Sequence, residues 1–214
     1  MKRIVTLFFA ALAFPCMAKA QLNILEVDLG IKLVANLSQV EGKYWENGYK
    51  TNFMGGAFLS IGGPMFGGQI EAIFTQATYQ SGEGFNDLYK DLFNAGKESV
   101  QNSSYKVNYL SVPVMVNFKV LPRIKLQAGP QFSKVVTVID KEGMFRDAKD
   151  IFKSGSIDAV AGIWVDLPFR LNAGARYVIG LSNMNSEDGN TYTQKIDDTW
   201  KQKTLQIHIG YTFL

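Results

Sequence analysis

Period-two alternation, repeated along nearly the whole chain, is the feature that most narrows the possible folds. The first run sets Val27, Leu29, Ile31, Leu33, Ala35 and Leu37 on one face against Asp28, Gly30, Lys32, Val34 and Asn36 on the other. The last sets Leu205, Ile207, Ile209, Tyr211 and Phe213 against Gln206, His208, Gly210 and Thr212. Six more runs lie near 52–61, 66–79, 105–118, 124–138, 156–165 and 169–180. Successive side chains of a strand point to opposite faces, so each run reads as a strand with one apolar and one polar side. Runs of roughly 10–14 residues exceed the usual ~5–6 of soluble strands and suit the ~9–11 needed to cross a bilayer at a tilt.

The connections sharpen this. They fall at 38–51, 62–65, 80–104, 119–123, 139–155, 166–168 and 181–202, long and short in strict alternation. An up-and-down membrane barrel, with short turns at one end and long loops at the other, has this pattern. Turn chemistry marks the short set: Gly62-Gly63-Pro64, Leu121-Pro122-Arg123 and Asp166-Leu167-Pro168. The expected fold is all-β: an eight-stranded antiparallel up-and-down transmembrane β-barrel.

The polar faces carry outright charges, namely Lys32, Glu71, Lys125, Asp158, Arg170 and Arg176. A membrane barrel turns its apolar face to lipid and its polar face to the lumen, the reverse of a soluble barrel. Alternation alone leaves both open. Aromatic placement favours the membrane: Phe66, Phe118, Phe169 and Phe213 lie near the short turns or chain end, and Tyr79, Tyr105, Tyr177 and Trp200 near the long loops. That predicts two girdles at the bilayer interfaces.

Residues 1–20 read as a cleaved signal peptide. Lys2 and Arg3 precede an apolar stretch from Ile4 to Phe14, Pro15 breaks it, and Ala18-Lys19-Ala20 places small residues where a signal peptidase reads. Cleavage between Ala20 and Gln21 leaves a barrel domain at 21–214. Cys16 follows Pro15, which suits no lipidation motif, and it is the one cysteine, so a disulfide framework or a cysteine zinc site is excluded. The formal net charge of +3 comes from the leader. Without Lys2, Arg3 and Lys19 basic and acidic residues are equal in number, which gives no sign of nucleic-acid binding.

Motifs for chemistry are sparse. The glycine pairs at 55–56, 62–63 and 67–68 open no helix, so they form no phosphate loop. Gly162-Ile163-Trp164 matches the lipocalin Gly-x-Trp but stands on the sixth run, not the first. His208 is the only histidine and has no nucleophile motif nearby, so it reads as a hydrogen-bonded interior residue. Phe85, Leu88, Tyr89, Leu92 and Phe93, followed by Gly96, have the spacing of a short amphipathic helix. No catalytic, cofactor-binding or metal site is expected, and no cofactor. The interior charges are expected to form a structural network: Asp158 and Arg176 pair across the hairpin that turns at Leu167-Pro168, and Lys32 and Glu71 extend it.

Several strings resemble the PorT-like outer-membrane β-barrel family of Bacteroidota. They are Gly30-Ile31-Lys32 with Asn36-Leu37-Ser38, Tyr109-Leu110-Ser111-Val112-Pro113, Ala128-Gly129-Pro130, Arg176-Tyr177 with Gly180-Leu181-Ser182-Asn183, and Gly210-Tyr211-Thr212-Phe213. Two positions depart: Ser111 stands where an acidic residue is common, and Leu214 follows the usual terminal aromatic. The resemblance implies an eight-stranded outer-membrane barrel, with one branch of the family linked to type IX secretion; it brings no catalytic residues.

The resulting expectation is a non-enzymatic monomer in the cell outer membrane, both termini periplasmic, with a structural, surface-interaction or secretion-assembly role. Its partners would be outer-membrane lipid, the barrel-assembly machinery and a protein at the extracellular loops or in a secretion system. The alternatives are an outer-membrane lipid- or peptide-processing enzyme built on His208 and a soluble lipocalin-like binder. An eight-stranded interior is just wide enough for its own side chains, which excludes a general porin.

Overall fold

The computed structural model describes residues 25–41, 48–82, 104–140, 154–182 and 200–214. Its eight strands among these residues are β1 (Glu26–Glu41), β2 (Lys50–Gly62), β3 (Phe66–Gln80), β4 (Ser104–Leu121), β5 (Ile124–Asp140), β6 (Gly155–Asp166), β7 (Leu171–Gly180) and β8 (Lys201–Thr212). Each pairs antiparallel with the next, and β8 closes onto β1 from Gly30↔Thr212 to Glu41↔Lys201. Closure leaves no sheet edge, which is what allows a sheet to sit in lipid.

Side-chain direction follows the alternation. In β1, Lys32, Val34, Asn36, Ser38 and Val40 are buried inside, while Ile31 and Leu33 are exposed outside. Phe53, Ile70, Phe74, Leu110, Val114, Phe132, Ile163 and Ile207 extend the same outward apolar surface around the wall. The barrel is thus apolar outside and polar inside, the arrangement of a transmembrane barrel.

This belt has an upper margin. Moving away from the short turns, outward positions turn polar: Gln39 and Glu41 follow Leu37 on β1, Thr51 precedes Phe53 on β2, and Gln76 follows Phe74 on β3. Lys106 precedes Leu110 on β4, Lys134 follows Phe132 on β5, and Lys203 precedes Leu205 on β8. On β5 the outward Val136 and Ile139 continue beyond Lys134. Over the same levels the inside is mixed, with Val40, Ala77, Tyr79, Tyr105, Val107, Val135 and Trp200 buried beside the polar Ser38, Ser81, Gln202 and Thr204. The strands therefore continue past the belt with a largely polar outer face and a packed interior.

Several expectations change. Of the upper girdle only Tyr177 stays on the outer face; Tyr79, Tyr105 and Trp200 are buried in this inner core. Rim residues near loops need not face out, because the strands continue past the bilayer margin. The lower girdle does face out: Phe66 packs on Phe118 at 5.1 Å between ring centres, Tyr211 on Phe213 at 5.6 Å, and Phe169 is 88% exposed. β7 starts at Leu171, not 169, because Pro168–Arg170 forms a 3-10 turn. Phe169 and Arg170 there have φ of 61° and 62°, a conformation seldom taken by non-glycine residues. Arg170 thus lies in the turn, exposed, and its Nη1 donates to the Phe213 carbonyl at 2.5 Å. The leader with Ala20 and Gln21, and the amphipathic spacing at 85–96, lie outside the described residues.

Candidate functional site

The polar lumen is the candidate site, and Glu71 on β3 is its hub. Arg176 reaches it from β7 with a two-pronged contact, Nη1 to Oε2 and Nη2 to Oε1, both at 2.8 Å. Lys32 Nζ from β1 donates to Oε2 at 2.5 Å, and Gln69 Nε2 to Oε1 at 2.6 Å. Gln69 Oε1 in turn accepts from Asn117 Nδ2 and Gln127 Nε2, each at 3.0 Å. The cluster ties β1, β3, β4, β5 and β7 together across the lumen. All three charged side chains are almost fully buried, so each requires its partners.

The structure brings Lys32, Glu71 and Arg176 together and leaves Asp158 apart. Asp158 faces Gly180 and Arg176 faces Gly162, which separates the two by about four residues, or ~13 Å, along the sheet. The 3-10 turn is the cause. It adds residues to the hairpin, so Asp166 pairs with Asn172, whereas a tight turn at Leu167-Pro168 would pair Asp166 with Phe169. Asp158 instead accepts at Oδ2 from Gln131 Nε2 at 3.1 Å, Ser133 Oγ at 3.2 Å and Ser156 Oγ at 3.4 Å. All these donors are neutral.

A stack of rings lies nearer the short turns. Phe58 meets Trp164 edge-on at 5.1 Å, and Trp164 lies 4.9 Å from His208. Trp164 Nε1 donates to Asp166 Oδ1 at 2.7 Å, and Asp166 pairs with Lys125 at 3.0 Å. Glycine makes room for the stack: a Cβ on Gly174 would sit 2.5 Å from His208 Cε1, and one on Gly30 2.5 Å from Phe58 Cζ. His208 was expected to be hydrogen-bonded, but neither ring nitrogen has a partner among the described residues. Its ring is held by stacking, with no hydroxyl or carboxylate in contact to form a nucleophile–base pair. Sequence reasoning missed this stack, because Phe58 and Trp164 have the same signature as any strand aromatic.

No group of three or more His, Cys, Asp or Glu side chains that could hold a metal occurs among the described residues. The sequence matches no family model and no curated protein. Among solved structures, the chain is similar to the attachment invasion locus protein Ail of Yersinia pestis, at 18% identity and a TM-score of 0.44, over 88% of this chain and 99% of that one. Neisserial surface protein A is similar at 10% identity and a TM-score of 0.44, with the same coverage of 88% and 99%. The outer membrane protein OprG of Pseudomonas aeruginosa is similar at 11% identity and 0.41, over 88% and 95%.

Proposed function

We propose that this chain is a small outer-membrane β-barrel without enzymatic activity, acting as a structural, surface-contact or secretion-assembly component. The observation that carries the reading is the wall's reversed polarity, with a continuous apolar belt outside and a buried Lys32–Glu71–Arg176 cluster within. A soluble lipocalin-like binder needs the opposite arrangement at these levels. An enzyme would need His208 joined to a nucleophile or acid, and the ring stack gives it neither. Both termini are assigned to the periplasmic side. Supporting this, the strands run beyond the belt, polar outside, only toward the long connections, which outer-membrane barrels direct outward. The PorT-like strings support a place among Bacteroidota outer-membrane proteins, with lipid and the assembly machinery as partners.

Membrane fractionation combined with heat-modifiable gel mobility tests the location. The protein should pellet with outer membranes and run faster unboiled than boiled. Recovery in the soluble fraction without detergent would sink the reading. Protease shaving of intact cells tests orientation: cuts should fall within 38–51, 80–104, 139–155 and 181–202, and 62–65 should be spared.

A further inference from the structure

Two of the resemblance strings end in Pro113 and Pro130, which have no part in the network above, yet the register puts these prolines one rung apart on neighbouring strands. Lys119 N–H donates to the Met65 carbonyl at 2.8 Å, and counting along that ladder sets Pro113 opposite Glu71 at a hydrogen-bonding position. Proline has no N–H, so the Glu71 carbonyl receives no donor from β4. The β3–β4 pairing lapses there, over Glu71–Ala72, and resumes at Ile73↔Ser111. Neighbouring residues of a strand address opposite neighbours, so Val114 turns to β5, where it faces Pro130. Pairing lapses again, over Val114–Met115 against Gly129–Pro130. Two successive rungs, one on each side of β4, therefore each lack a hydrogen bond. Leu110, Val114, Val116 and Phe132 are exposed around them, so the defect lies within the lipid belt, where nothing else can donate.

Behind the defect is a group of buried polar side chains that the Glu71 cluster leaves out. Pro113, Gln131 and Asp158 share one rung, and Ser111, Ser133 and Ser156 the next. Asp158 is 1% exposed and Gln131 2%. Among the described residues, Asp158 Oδ1 and Gln131 Oε1 have no hydrogen-bond partner, and no Lys or Arg forms an ion pair with Asp158. A buried carboxylate in this state favours a hydrogen-bond donor or a cation. Neither mouth gives direct passage. The Glu71 cluster and the ring stack cross the lumen toward the short turns, and Tyr79, Tyr105 and Trp200 fill it toward the other end.

We propose that the wall parts at Val112–Met115 and admits a small hydrogen-bond-donating or cationic molecule sideways from the bilayer to Asp158. The proposal rests on the barrel being membrane-embedded, and co-flotation of the protein with vesicles establishes that separately before any labelling. The probe is dicyclohexylcarbodiimide, which partitions into lipid and reacts with buried carboxyl groups, applied to the folded protein in phosphatidylcholine vesicles. Peptide mass analysis should find the label on Asp158, absent in Asp158→Asn, while a water-soluble carbodiimide should leave that site largely unlabelled. The double variant Pro113→Ala with Pro130→Ala supplies both missing N–H groups. It should lower the labelling rate about tenfold or more, the factor expected from two restored hydrogen bonds. Absence of label on Asp158, equal labelling by the water-soluble reagent, or an unchanged rate in the double variant would each overturn the proposal.

Discussion

At the scale of single residues, Glu71 should matter most. Among the described residues it is the only acid paired with Lys32 and Arg176, so Glu71→Gln keeps the shape and leaves two buried cations uncompensated. A loss of about 3–5 kcal/mol in folded-barrel stability is expected, read by urea unfolding in detergent or lipid. Asp158→Asn removes a charge bound only by neutral donors and should cost less, or stabilise the barrel. Double-mutant cycles give the sharper test: Glu71 with Arg176 should couple strongly, and Asp158 with Arg176 should simply add. Gly174→Ala is a third case. Its Cβ would meet the Ile163 carbonyl at 2.3 Å as well as His208, and forcing backbone apart should destabilise by roughly 1–3 kcal/mol. A variant as stable as the parent would show that the ring stack is looser than described.

At the scale of elements, the eight strands were legible because period-two alternation is a local signal that survives in a single sequence. The inward direction of Lys32, Glu71, Asp158 and Arg176 was legible for the same reason. Which of them meet was not, because partner choice depends on register, and register depends on turns. Leu167-Pro168 reads as a tight turn, but the left-handed Phe169 and Arg170 lengthen it, and such conformations leave little trace outside glycine and asparagine. Contacts across the lumen, such as Arg176 on β7 with Glu71 on β3, depend on closure and have no pairwise signal at all. The register itself can be checked by cross-linking. The mature chain has no native cysteine if the leader is removed, so Ala161→Cys with Tyr177→Cys, which face each other, should form a disulfide on mild oxidation. Val160→Cys with Ala175→Cys, a pair that a tight turn would have made but that the observed register separates, should not. Disulfide geometry tolerates Cα separations only up to ~7 Å, so the two outcomes are exclusive.

At the scale of the whole molecule, the barrel is a filled cylinder. Side chains from opposite walls meet at the Glu71 cluster, rings cross beside it, and Tyr79, Tyr105 and Trp200 pack with smaller side chains at the far end. Reconstitution into planar bilayers should therefore give no stepwise ion conductance, and regular single-channel steps would contradict the packing described. The belt has a further consequence for where the protein can reside. Outward apolar residues on β1 run from Val27 to Leu37, a height of about 25 Å at the usual strand tilt, and Gln39 and Glu41 follow directly. A thicker bilayer would drown those polar residues in hydrocarbon, and the rigid wall cannot stretch to meet it, so the bilayer must thin instead. The chain thus behaves as a gauge of membrane thickness. It should fold readily into vesicles of short-chain phosphatidylcholine and slowly into long-chain ones, and within a cell it should be held to the thinnest bilayer on its export route.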